Sequence, residues 1–197
     1  VRELGLTRKD GKLRLTAKPV TALESLRTGE EVTRKDTDIP AGDTSLGQAA
    51  QGSSLDISVD LSPGTSSVAG LKVLDNGEQY TLIGYDAKAK QLVVDRTRSG
   101  VTDFSPKFPD RSTAPLSPDS NGQIHLRIVV DAHSVEVFAA DGTPVITETV
   151  YPTEGATNVS LYAEGGTARL NNLSLWHLGP ADDTSGAAEG PDSPGPG

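Results

Sequence analysis

The sequence predicts an all-β protein, a two-sheet antiparallel β-sandwich. Three observations carry this. Apolar runs are short while Gly and Pro are frequent, 21 and 13 of them in 197 residues, a composition that favours short strands and tight turns over helices. Leu55, Ile57, Val59 and Leu61 alternate with Asp56, Ser58 and Asp60, which describes a strand with one dry and one wet face. Connections such as Asp75-Asn76-Gly77 and Asp141-Gly142 supply the residues that turns with positive φ demand.

Taken in order, residues 1–28 read as a lead-in. Leu4-Gly5-Leu6 and Leu13-Arg14-Leu15 flank Lys9-Asp10-Gly11-Lys12, and Asp-Gly at that place signals a hairpin. Val20, Leu23 and Leu26 have the spacing of a short helical turn or of an irregular packed segment. Residues 29–54 are polar and weakly patterned, so a loop with at most one poorly marked strand is expected there. From Leu55 the strand signal is strong. Further strands are expected at Val68–Leu74, Tyr80–Tyr85, Gln91–Asp95, Ile124–Val130, Ser134–Ala139, Val145–Val150, Asn158–Ala163 and Thr167–Leu178. Residues 29–178 thus form one sandwich module, of the jelly-roll or concanavalin-like kind. Within its last strand, Ala168 and Leu170 are apolar at even positions but Leu173 and Leu175 at odd ones. A strand changes face only through an extra residue, which predicts a β-bulge at Asn171-Asn172. Residues 179–197 hold too little apolar surface to fold and read as a disordered linker or tail.

The formal net charge of -9 gives an acidic field that repels phosphate backbones and anionic lipid. Neither nucleic acid nor a membrane is an expected partner. No run of about 18 apolar residues exists to span a bilayer. There are no cysteines, so disulfides, thiolate metal sites and a Cys nucleophile are excluded. His125, His133 and His177 lack the spacing of a ligand set, so no metal is expected. No cofactor motif occurs. Methionine is absent even at position 1, and we expect the chain to be a piece of something longer.

Two stretches, in order, carry more than propensity. The first is Leu126-Arg127-Ile128-Val129-Val130-Asp131-Ala132-His133-Ser134-Val135-Glu136-Val137-Phe138, followed by Asp141-Gly142; the second is Ser160-Leu161-Tyr162-Ala163-Glu164-Gly165-Gly166-Thr167-Ala168, ending at Leu175-Trp176. Val94-Asp95-Arg96-Thr97-Arg98-Ser99-Gly100 lies upstream, and Arg2-Glu3-Leu4, Pro19-Val20 and Glu24-Ser25-Leu26-Arg27 lie in the lead-in. Together they resemble the C-terminal domain of glycoside hydrolase family 32, which contains levanases, inulinases, fructan β-fructosidases and invertases. One departure is visible: the family turn often reads Asp-x-Ser-Ser-Val-Glu, and here His133 replaces the first Ser.

The resemblance implies a secreted, bacterial parent and a lead-in that crosses over from a five-bladed catalytic propeller, the implied partner. It implies retaining hydrolysis by three carboxylates. Their motifs, of Asn-Asp-Pro, Arg-Asp-Pro and Glu-Cys type, are not in this chain, so no residue here inherits a catalytic role. Two non-catalytic roles remain: an accessory domain that supports the propeller, or an independent fructan-binding module. For the second, Asp95, Arg96, Arg98 and Glu136 are the candidates to fork onto sugar hydroxyls. The competing expectation pairs Glu136 with Arg96, Arg98 or Arg127 to fix strands. Glu164 has the bland reading of a turn anchor, and Trp176 that of sheet packing. Phe104 and Phe108 sit in one long loop, either as a docking patch toward the propeller or as a mini-core of the loop itself.

Overall fold

The computed structural model describes residues 2–9, 11–139 and 142–180. The lead-in forms a hairpin of β1 (Arg2–Lys9) and β2 (Lys12–Pro19), followed by a 3-10 turn over Thr21–Leu26. Twelve further strands follow: β3 (Arg27–Ile39), β4 (Gly42–Ser45), β5 (Leu55–Ser62), β6 (Val68–Asp75), β7 (Thr81–Asp86), β8 (Gln91–Asp95), β9 (Arg111–Pro115), β10 (Ile124–Asp131), β11 (Ser134–Ala139), β12 (Val145–Thr149), β13 (Asn158–Glu164) and β14 (Ala168–Leu178). They build two six-stranded sheets. Sheet 1 runs β12-β11-β10-β5-β14-β3 and sheet 2 runs β4-β13-β6-β7-β8-β9. The sandwich read from the sequence is the fold observed.

The core lies where the inner faces meet. Leu55, Ile57, Val59 and Leu61 of β5 and Ile128 and Val130 of β10 face Leu71 and Val73 of β6, Ile83 of β7 and Leu161 of β13, all buried in one cluster. The alternating Asp56, Ser58 and Asp60 therefore lie on the outer face of sheet 1.

β14 changes face through the expected bulge. Leu170 pairs with Leu61 and Asn172 with Asp60, so Asn171 is the extra residue against β5. Its Oδ1 accepts a hydrogen bond from Ser62 at 2.8 Å. The bulge lets Leu170, Leu173 and Leu175 all reach the core, each fully buried.

The expectation of a loop over 29–54 is corrected. β3, thirteen residues long, begins at the end of the lead-in and runs through residue 39, and β4 occupies four more. β9 also went unmarked in the sequence. All three are edge strands. β3 buries only Val32 and Ile39, and β9 buries nothing fully. A strand wet on most of its surface shows no apolar period, so pattern reading passes over it. Asp10 and Asp141 lie outside the described residues, but the glycines after them, Gly11 and Gly142, take φ of 73° and 75° as the turns require. Of the expected tail, residues 181–197 lie outside the described residues.

Candidate functional site

The outer face of sheet 1 is organised around Asp56, whose side chain is only 1% exposed. Asp56 Oδ2 accepts from Arg27 Nε and Nη2 at 2.9 and 2.7 Å. Arg127 donates Nε to Oδ1 and Nη2 to Oδ2, both at 2.9 Å. Glu24, from the 3-10 turn, stands 3.8 Å from Arg27 and 3.6 Å from Arg127. The Arg27 guanidinium also lies over the Trp176 ring, 5.6 Å from its centroid, so Trp176 packs on the sheet as read. Burial pushes the Asp56 carboxyl up, but the two guanidiniums outweigh it and hold it below the ordinary range. A general acid must carry a proton and a nucleophile needs an accessible oxygen; this carboxylate is held ionised and both its oxygens accept from the arginines.

Four residues along β5, Asp60 binds His125. His125 Nδ1 lies 2.7 Å from Asp60 and Nε2 lies 3.0 Å from Asp119. Hydrogen bonds to Asp119 and Asp60 raise the His125 pKa above the ordinary histidine value. The bond from His125, with backbone N–H groups of Gln123 and Asn121, lowers that of Asp119. Since the folded value of His125 exceeds the unfolded one, its stabilisation is complete below about pH 6.5 and is lost as pH rises through the folded value. For Asp119 the sign is opposite: stabilisation is present above about pH 3.9 and is lost as pH falls through its depressed value. The clamp therefore contributes most in mildly acidic solution. Denaturant titrations of His125→Gln are expected to show the largest deficit from wild type near about pH 5.5 and a smaller one at about pH 9. A deficit independent of pH would contradict the clamp.

The structure brings only some of the sequence candidates together. Asp95 ends β8 and accepts from Thr97 N and Oγ1 at 2.9 and 2.7 Å, closing a turn. Arg96 Nε is 3.1 Å from Glu148 of β12, and Arg96 Nη1 donates to Thr149 O at 3.2 Å. Arg98 donates to Glu78 O at 2.7 Å and lies over Tyr80. Glu136 is apart from these three, on β11 of sheet 1. The expected pairing of Glu136 with Arg96, Arg98 or Arg127 is corrected: its partner is Arg2 of the hairpin, at 2.8 Å. Arg2 also bonds Thr147 and lies over the Phe138 ring. Arg127 is spent on Asp56 and Arg96 on Glu148. Glu164 anchors its turn through the backbone, since its carbonyl accepts from Ser67 N and Oγ.

Phe104 and Phe108 meet at a tilt of 46° with centroids 4.6 Å apart, and both contact Tyr151, at 5.5 and 5.4 Å. His133 joins at 6.1 Å from Tyr151, and Arg96 lies 4.3 Å over Phe108. The loop is thus both a cluster and a surface, because Phe104 and Tyr151 remain 58% and 39% exposed. Gly100, paired with Tyr151, holds the loop down. Tyr151, which with Tyr80, Tyr85 and Tyr162 is a candidate stacking ring in the sequence, is tied to this loop only by the fold, since no local spacing links it to Phe104 and Phe108. On sheet 2, two of the candidate tyrosines, Tyr80 and Tyr162, flank a lysine that the sequence does not link to them. Lys72 Nζ sits 2.8 Å from Asp43 and between the rings of Tyr80 and Tyr162, at 4.2 and 4.6 Å.

Among the described residues no group of three or more His, Asp or Glu is placed to hold a metal ion, and no helix is long and apolar enough to cross a membrane.

Residues 22–177 match the family described as "Glycosyl hydrolases family 32 C terminal". The chain belongs to that family. Among its family 32 relatives, the levanase of Bacillus subtilis (strain 168) is 36% identical over 179 residues, covering 90% of this chain and 26% of the levanase. The extracellular exo-inulinase of Aspergillus awamori is 31% identical over 179 residues, covering 90% of this chain and 33% of that enzyme. The crystal structure of exo-inulinase from Aspergillus awamori superposes with a TM-score of 0.82 at 28% identity, over 90% of this chain and 35% of that one. Fructan 1-exohydrolase IIa from Cichorium intybus, at 18% identity and a TM-score of 0.73, shares the fold. The family 32 chain described here spans about a quarter to a third of the length of these curated relatives.

Proposed function

We propose that this chain is the non-catalytic C-terminal accessory domain of a secreted, fructan-hydrolysing glycosidase, and that it supports a catalytic propeller in the same polypeptide. One observation carries the reading: the match is to a C-terminal family, and it spans about a third or less of a levanase and an extracellular exo-inulinase. The side chains agree with it. Retaining hydrolysis needs two free carboxyl groups about 5–5.5 Å apart across a cleft. Asp56, Asp60, Asp119, Glu136 and Glu148 are each engaged by Arg or His. The chain alone is expected to release no fructose from levan or inulin, measured by reducing-sugar assay. Deleting residues 22–177 from the longer polypeptide is expected to lower the melting temperature of what remains. Fructose release by the chain, or an unchanged melting temperature after deletion, would overturn the proposal.

A second reading, a fructan-binding module, is favoured by a different observation. The exposed rings of Phe104 and Tyr151 pack on Phe108, which Arg96 covers, and Arg96 belongs to the segment that also bears Asp95 and Arg98; sugars bind through a stacking face with polar groups at its rim. Phe104 and Phe108 would serve the accessory reading instead as interface residues. Calorimetric titration of the chain with levan and inulin decides: heat lost on Phe104→Ala supports binding, and no heat at millimolar sugar ends it.

A further inference from the structure

Asparagine is thermolabile, above all before glycine, because a residue with no Cβ leaves its backbone nitrogen free to attack the preceding side chain. The chain has two such pairs, Asn76-Gly77 and Asn121-Gly122. Both lie exposed in turns between strands. The other asparagines, Asn158, Asn171 and Asn172, lie in β13 and β14 and are followed by Val159, Asn172 and Leu173, whose side chains and strand backbone obstruct the attack. The sequence ranks the two Asn-Gly pairs as equals, and the structure separates them.

The Asn76 side chain is fixed at both ends. Its Oδ1 accepts from Glu78 N and Gln79 N at 3.1 and 3.0 Å, and its Nδ2 donates to Thr153 Oγ1 at 3.1 Å. Thr153 is itself held by Gln79 Oε1 at 2.7 Å. Gly77 N donates to the Asp75 carboxylate at 2.6 Å, a charge-assisted bond that retains the proton the attack must shed. Asn121 has none of these restraints. Its side chain is exposed and makes no hydrogen bond among the described residues. Only its backbone is held, with N–H donating to Asp119 Oδ1 at 2.8 Å. Gly122 N donates to the neutral Asp119 carbonyl at 3.0 Å, an ordinary turn bond and a weaker hold on the proton.

We infer that Asn121 is the site at which this chain deamidates spontaneously, and that the isoaspartate formed there releases the clamp on His125. Gly122 N bonds to Asn121 Cγ, the Cγ–Nδ2 bond breaks, and ammonia leaves with the proton that Gly122 N gave up. Water then opens the cyclic imide. Opening at the side-chain carbonyl gives aspartate, and opening at the backbone carbonyl gives isoaspartate, whose main chain runs through the former side-chain carbon. Either product adds one negative charge to the formal -9. The consequence for the fold lies in Asp119. Its Oδ1 accepts from Asn121 N and Gln123 N at 2.8 and 2.9 Å, while its Oδ2 lies 3.0 Å from His125 Nε2. Isoaspartate inserts an extra backbone atom between those two N–H groups, so they no longer converge on one oxygen. Asp119 loses its seat, and His125 keeps only Asp60.

The test incubates the 197-residue chain in mildly alkaline buffer, digests it at intervals and follows the mass gain of an amide turned to an acid. The peptide spanning 119–123 is expected to convert at least about tenfold faster than the one spanning 75–79. In urea, where neither turn persists, the two rates are expected to come within about threefold of each other. Equal rates in the folded chain, or a faster Asn76, would overturn the site. A tenfold preference that persists in urea would overturn it as well, since flanking sequence and not the fold would then set the order. Anion exchange separates the converted chain by its added charge. Its isoaspartate form is expected to show a stability deficit that is largest in mildly acidic solution, as His125→Gln does, while Asn121→Asp, with an ordinary backbone, keeps most of the wild-type stability. No deficit in the isoaspartate form, or the same deficit in Asn121→Asp, would overturn the release of the clamp.

Discussion

Replacing Asp56 by alanine is expected to destabilise the fold by about 3 kcal/mol, the lower part of the range for removing one member of a buried ion cluster. The lower part applies because Arg27 and Arg127 keep 25% and 24% of their side-chain surface in contact with solvent. Without Asp56 these two guanidiniums, brought together on the face of sheet 1, lose four hydrogen bonds and the charge between them. For a domain of this size the loss corresponds to a fall in melting temperature of roughly 6–12 °C. Urea unfolding of the chain measures it, and a change under about 1 kcal/mol would place the cluster with ordinary surface pairs. Arg169, whose partners Asp36 and Asp38 are exposed, provides the contrast: Arg169→Ala is expected to have little effect. The sign with pH is fixed by the depressed carboxyl. The contribution of Asp56 is present above its unfolded value, about pH 3.9, and is lost as pH falls through the folded one.

Gly70→Ala is expected to cost about 3 kcal/mol or more, at the upper end of what overpacking does. Gly70 lies mid-strand in β6, directly opposite Gly84 of β7 and beside Tyr162 of β13. A Cβ on Gly70 would sit 2.0 Å from Ile83 O and 2.5 Å from Gly84 Cα. Both are backbone atoms within a sheet, so no side-chain rotation relieves the clash, and the strands themselves must part. The same displacement would reach Lys72, two residues on, and loosen its seat between Tyr80 and Tyr162. Denaturant midpoints and the ring resonances of the two tyrosines report the two effects. A loss below about 1 kcal/mol would mean that sheet 2 can flatten here without strain.

The candidate site was legible only where its signal was local. Asp95 was singled out from a motif and closes a turn with Thr97 two residues away, a contact that short-range geometry dictates. Phe104 and Phe108 share one loop, and their proximity follows from it. Glu136 reads in the sequence either as a sugar contact or as the partner of Arg96, Arg98 or Arg127, but the arginine it holds is Arg2, 134 residues away in the hairpin. Nothing in the spacing of either residue announces the other. Asp56 looked like one more wet residue of an alternating strand. It is among the least exposed charged groups described, because the 3-10 turn and two arginines, 29 and 71 residues distant, close over it.

By itself the sequence determined the dry faces of the central strands, the bulge in β14, the glycine turns and the family, because each depends on residues within a few positions of one another. The tertiary structure alone decided which strands are edges, which arginine each carboxylate holds, and that the leucines of the hairpin stay exposed. An edge strand lacks the apolar period that burial imposes, and an ion pair across a sheet depends on register between distant segments. How much of a hairpin is covered is likewise set by where it is anchored and not by its own alternation.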